Sequence, residues 1–349
     1  MEFYTGETSA GIRWRGVDPA AADKRSIPFS EDLLAYDKTI RDDFLIERLT
    51  MKTRLFGLLL LSVAASAAPA LRSDMLVSTA WLADHLKDPN LVVLHVSRDR
   101  TAFDAGHIPG ARFLALSEIV MTRDGILNEL PPAATLKNVF ERLGVSDDSR
   151  VILCADSSVL PATRAYFTLD YLGHGDAAAL LDGGLTKWKA ESRPLSTDAP
   201  QTAQGRFTPR PRPEIVIEIN AVRDLSFAAS SNSGGAPVLV DARSGRDFNG
   251  STTPNAEIPR PGHIPGAVNV YWMQGQTSNS DMSLLTEQAL RKLYESAGVT
   301  PDRPAVTYCN TGMQASQSYF TLKYLGYDAR MYDGSFSEWS NAKNAEVQK

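Results

Sequence analysis

The 349-residue chain has only two cysteines, Cys154 and Cys309. One pair cannot build a disulfide framework or a cysteine-rich metal centre, so either residue matters, if at all, as a thiol. Histidine is scarce too: of the five, His85, His95 and His174 fall at no metal-ligand spacing. A basic surplus is also missing, since 36 Lys and Arg face 41 Asp and Glu for a net charge of −5. Phosphates would find little to neutralise them, which argues against nucleic acid as a main partner. Apart from one short segment no long apolar run occurs, so no integral membrane span is expected in the mature form. What is there, 43% hydrophobic and 22% charged residues, suits a globular chain of about two domains.

The short apolar segment runs from Leu55 to Ala64. Lys52 and Arg54 precede it and Ala65-Ser66-Ala67 follow it, the three parts of a secretory signal peptide. Residues 1–50 before it show no core periodicity. The expectation is that the physiological start is Met51, that residues 1–50 are an upstream extension outside the fold, and that 51–68 is the signal peptide. The mature chain would then begin near Ala68 and reside in the periplasm.

The remainder reads twice. Gly106-His107-Ile108-Pro109-Gly110-Ala111 recurs letter for letter as Gly262 to Ala267. YFTLDYLG (Tyr166 to Gly173) recurs as YFTLKYLG (Tyr319 to Gly326), and LDGGLTKW (Leu181 to Trp188) is echoed by YDGSFSEW (Tyr332 to Trp339). Units this long are duplicated domains rather than solenoid repeats. Domain one is placed at 75–195 and domain two at 214–349, with the Pro-rich stretch 196–213 as an extended linker.

Within each half, short β-branched runs alternate with amphipathic helical patterns. Strands are expected at Leu91 to His95, Val151 to Cys154, Val238 to Asp241 and Ala305 to Tyr308. Helices are expected around Leu136 to Leu143, capped by Thr135, and at Leu285 to Ala297 and Ala315 to Leu325. This alternation implies an α/β fold: in each domain a parallel sheet with helices on both faces. Ligands of such sheets lie at the carboxyl ends of the strands.

One strand-to-helix loop stands out: Cys309-Asn310-Thr311-Gly312-Met313-Gln314-Ala315. Loop amides and a helix N-terminus there form an anion cradle, and a thiolate or persulfide at Cys309 would be stabilised by it. Gly312 permits the tight curl. The competing reading is a small buried hydrophobe, the usual state of a free cysteine. Sliding one YFTL block onto the other sets Asp156 at the place of Cys309 and Cys154 opposite Thr307. Domain one then has no nucleophile, and Cys154 is a packed strand residue. His107 and His263, present in both halves, are expected to be structural.

Two tandem units with GHIPGA, a loop Cys-x-x-Gly-x-x and a closing Asp-Gly…Trp resemble the two-domain rhodanese family, over nearly all of residues 75–345. The resemblance implies two rhodanese-like domains, with catalysis in the second through Cys309. It further implies a sulfurtransferase moving sulfur from thiosulfate or 3-mercaptopyruvate to cyanide or a thiol through a Cys309 persulfide, with no cofactor and no metal. The loop Asn310 to Ala315 would bind sulfur, and Arg243, Arg246 and Arg260 are the candidate donor-binding arginines. A structural or solvated role fits Arg243 and Arg246 as well. The match is incomplete: Asp247 stands where the family has arginine, and Ala115 where mercaptopyruvate enzymes have an acid. Thr311 with Gly312 suits a mercaptopyruvate-type loop, while Asn310 and Gln314 are neutral where thiosulfate-type loops carry basic residues. A phosphatase of Cys-x5-Arg type is disfavoured because Ala315 occupies the arginine position. A persulfide carrier or binding module without turnover is the alternative. Expected partners are small sulfur donors and acceptors and a reductant thiol protein.

Overall fold

Apolar side chains alternate along β2 (Leu91–Ser97), with Val92, Leu94 and Val96 in one buried cluster and Val93 in another. The period of two means that both faces of the strand are covered, the mark of a parallel sheet between helical layers. The computed structural model describes residues 69–230, 235–253, 255–278 and 281–349. The expected extension and signal peptide, 1–68, lie outside the described residues.

Domain one comprises β1 (Leu76–Val77), α1 (Thr79–His85), β2, α2 (Thr101–Ala105), β3 (Arg112–Ala115), β4 (Met121–Arg123), β5 (Ile126–Glu129), α3 (Ala133–Arg142), β6 (Arg150–Cys154), α4 (Leu160–Tyr171), β7 (Ala178–Leu181) and α5 (Gly184–Ala190). Domain two comprises α6 (Ile219–Ser230), β8 (Val238–Asp241), α7 (Gly245–Phe248), β9 (Val268–Asn269), α8 (Glu287–Ser296), β10 (Ala305–Tyr308), α9 (Met313–Tyr324), β11 (Ala329–Met331) and α10 (Ser335–Asn341). The two main sheets are parallel, in the orders β1-β7-β6-β2-β3 and β11-β10-β8-β9. α3 starts earlier than expected. Ala133 opens it behind Pro132, and the Thr135 N–H already donates to the Pro132 carbonyl, so Thr135 is not its cap.

The outer face of each sheet is closed by corresponding residues: Ile108, Leu185 and Trp188 in domain one, Ile264, Phe336 and Trp339 in domain two. The inner faces share a core, in which α4 lies against α9. Tyr166 meets Phe320 and Phe167 meets Tyr319, edge to face, with ring centroids 4.9 and 5.1 Å apart. Both GHIPGA histidines do one structural job. His107 and His263 stack on Phe103 and Phe248, and their main chains pair with Ser196 and Gln348, just beyond α5 and α10.

The linker is extended but held down. Gly205 and Arg210 donate to the carbonyls of Glu141 and Leu172, and Phe207 is buried in the core against Phe140. A Cβ on Gly205 would lie 2.0 Å from the Val145 carbonyl oxygen, a close approach that only glycine permits.

Candidate functional site

Cys309 follows directly on β10 and is 1% exposed. Its main chain is fixed on both sides: the N–H donates to Ser335 Oγ at 3.2 Å, and the carbonyl accepts from the Phe336 N–H at 2.8 Å. The N–H groups of Ala315, Thr311 and Gln314, at the loop and the start of α9, donate to the sulfur. This is the expected cradle. Its net electrostatic effect differs from the expectation, however. Burial pushes the Cys309 thiol up, and the three amides only partly offset it.

Gly312 adopts φ +81°, and a Cβ there would lie 2.9 Å from Asp333 Oδ1. Asp333 is buried and forms a forked pair with Arg164 of α4, Nη1–Oδ1 2.5 Å and Nη2–Oδ2 3.1 Å. Its Oδ2 also accepts the Leu130 N–H at 2.9 Å. Thr311 Oγ accepts from Asn128 Nδ2 at 3.0 Å, and Thr163 Oγ meets Ser316 Oγ at 3.0 Å. Domain one therefore braces the loop that carries the cysteine. The sequence reading missed Asn128, Arg164, Asp333 and Ser335. A signal for the first existed: Asp124-Gly125, both at positive φ, turns the antiparallel pair β4–β5 that delivers Asn128.

The three arginines are not brought together around the sulfur. Arg243 is 1% exposed. It grips the Asp241 carboxylate through Nε and Nη2, donates to the Gly262 carbonyl at 2.7 Å, and reaches Asn310 Oδ1 with Nη1 at 3.4 Å. With its donors so engaged it positions the loop. Arg260 donates to the carbonyls of Trp339, Ser340, Ala342 and Ala345, which makes it a clamp on the end of α10 rather than a donor-binding residue. Arg246 is exposed in the short helix α7. Gln314 Oε1 is buried without a hydrogen-bond partner among the described residues, and Met313 is 7% exposed.

A cavity of about 240 Å³ between the domains adjoins the loop through Asp333 and Gly334. It carries Glu129, Glu218 and Glu338 against Arg123, and burial pushes the Glu129 carboxyl up to about 7. That acidic lining does not suit an anionic sulfur donor.

Domain one has no thiol at the matching loop, but the correspondence differs from the one expected. Leu153 pairs with Leu180 as Thr307 pairs with Met331. Leu185 N–H donates to the Ala155 carbonyl as Phe336 N–H donates to Cys309. Ala155, not Asp156, is therefore the counterpart of Cys309, and the loop to α4 is one residue longer than the loop to α9. Cys154 corresponds to Tyr308. It packs with Ile152 and Leu181 on the outer face, and burial raises its thiol to about 12.

Two domains of this topology, with the second offering a cysteine in an amide-lined strand-to-helix loop, define the class. The rhodanese-like domain model of the Rhodanese family matches residues 78–191 and 226–342, and the chain belongs to that family. A protein of Thermus thermophilus named sulfur carrier protein TtuD is 36% identical over 285 residues, 79% of this chain and 97% of its own length. A relative from Mycolicibacterium smegmatis, provisionally named a thiosulfate sulfurtransferase, is 35% identical over 284 residues, 79% of this chain and 98% of that one. The solved 3-mercaptopyruvate sulfotransferase SseA of Escherichia coli is similar at TM-score 0.65 and 26% identity, over 75% of this chain and 98% of its own.

Proposed function

We propose that the protein is a sulfurtransferase whose Cys309 carries the sulfur as a persulfide. The reading rests on one observation: three main-chain N–H groups converge on the Cys309 sulfur at the start of α9. That arrangement favours a negative sulfur without a metal or a cationic side chain. In the first half-reaction the Cys309 thiolate attacks the outer sulfur of the donor. A new S–S bond forms as the donor's bond to that sulfur breaks, and sulfite (from thiosulfate) or pyruvate (from 3-mercaptopyruvate) leaves. In the second, cyanide or a thiolate attacks the terminal sulfur and Cys309 departs as thiolate, a ping-pong cycle. The names of the M. smegmatis and E. coli relatives fit the two donors. Expected export as a mature chain from near Ala68 would place this chemistry in the periplasm; amino-terminal sequencing of periplasmic protein tests it.

A second reading has its own support. The T. thermophilus relative is named a sulfur carrier, and the burial of Cys309 suits a persulfide sheltered until a partner protein draws it off. Thiocyanate formation with thiosulfate or 3-mercaptopyruvate separates the two: repeated turnover indicates the enzyme, and loading of one sulfur per chain without turnover indicates the carrier. Under either reading Cys309→Ser abolishes sulfur loading, seen by intact mass, and Cys154→Ser leaves it unchanged. Loss of loading in Cys154→Ser alone would overturn both.

A further inference from the structure

The duplication makes each domain a control for the other. In domain two, Asp241 at the end of β8 is matched by Arg243. In domain one the strand pairings set His95 at the place of Asp241, each opposite the last residue of the neighbouring central strand, and Ser97 at the place of Arg243. The ion pair is gone. His95 is fully buried and neither ring nitrogen has a hydrogen-bond partner among the described residues. Its Nε2 lies 3.9 Å from Asp156 Oδ1. Burial lowers the imidazole to about 4, so at neutral pH it is uncharged and does not offset the carboxylate.

Asp156 lines a cavity of about 210 Å³ at the longer loop, together with Arg98, Asp99, Ser157, Ser158 and, from domain two, Met313. Asp99 is committed to the turn before α2, where its Oδ1 accepts the Thr101 N–H at 2.9 Å. Arg98 is exposed and has no carboxylate partner among the described residues. The hollow thus holds a guanidinium and a carboxylate that do not pair with each other, with the N-terminus of α4 beside them.

Opposite charges held apart in one small hollow are complementary to a ligand that carries both. We propose that this cavity is a second small-molecule site, in the domain without the nucleophile, for an amino-acid-like zwitterion. Its carboxylate would lie on Arg98 and its ammonium on Asp156. A plain anion is disfavoured because Asp99 and Asp156 outnumber Arg98, and a plain cation would leave the guanidinium unmatched. The volume is below the ~300–1,000 Å³ of drug-sized pockets, which fits a ligand of amino-acid dimensions. Met313, part of its wall, is the first residue of α9, so an occupant would touch the element that holds the Cys309 loop.

The test is calorimetric titration of L-serine into the Cys309→Ser protein, in which sulfur chemistry plays no part, with acetate and ethylamine as half-ligands. Saturable L-serine binding is expected, at least about tenfold weaker in Arg98→Ala and in Asp156→Asn, with Arg98→Lys recovering part of it and neither half-ligand matching it. The exposed Arg98 can be removed without disturbing the core. Absence of saturable L-serine binding, wild-type affinity in either loss variant, or acetate binding as well as L-serine would overturn the proposal. Because no turnover is read, its failure is distinct from failure of the sulfur-transfer reading.

Discussion

Cys309 is subject to two opposed influences, three amide donors that favour the thiolate and complete burial that opposes it. Burial is the larger, so the thiol titrates above the ordinary cysteine range of about 8.5. The rate of Cys309 alkylation by iodoacetamide is therefore expected to keep rising with pH beyond that range, followed by peptide mass spectrometry. An inflection below pH 8 would mean that the amides outweigh burial. The cradle was legible because a cysteine between a strand and a glycine-containing helix start constrains its own backbone. The roles of the arginines were not. Asp241 is a local partner of Arg243, two residues away, but the Gly262 carbonyl and the carbonyls ending α10 reach Arg243 and Arg260 only through tertiary structure.

At the scale of elements, the strands β8 and β10 coincide with the apolar runs that announced them, and α9 starts two residues ahead of its expected Ala315. The register between the repeats was misread by one residue. An alignment anchored on the helices carries any loop insertion into the strands, and the extra residue before α4 is visible only in the hydrogen bonds. The brace across the domains was equally hidden, because Arg164 and Asp333 are far apart in sequence, and the Asp-Gly…Trp block that contains Asp333 does not show which residue of the other half it meets. Arg164→Met would leave Asp333 buried with an uncompensated charge against Gly312. A loss of about 3–5 kcal/mol in urea unfolding is expected, with sulfur loading at Cys309 falling in the protein that stays folded. A variant as stable as the wild type would show that the pair contributes nothing net.

Over the whole molecule, the duplication is nearly symmetric in its core and asymmetric in its chemistry. The one difference between YFTLDYLG and YFTLKYLG is Asp170 against Lys323, and the two meet, Nζ–Oδ2 3.4 Å, across the domain boundary. Tyr319 also donates to Asp170 at 2.6 Å. Identical residues at these places would have set like charges together, so the duplicate halves have diverged where they touch. Sequence alone displayed the repeat and the difference but not that the two differing residues are partners.

The pairing of His263 with Gln348 makes the segment after α10 a latch. Gln348 holds His263, the neighbouring Gly262 carbonyl receives Arg243, and Arg243 reaches Asn310 beside the sulfur. Deletions that reach back past Ala345 would undo the latch and Arg260's grip on that carbonyl in one stroke. Sulfur loading is then expected to decay in step with tail loss, as followed by intact mass, while the far-ultraviolet dichroism of the helices persists.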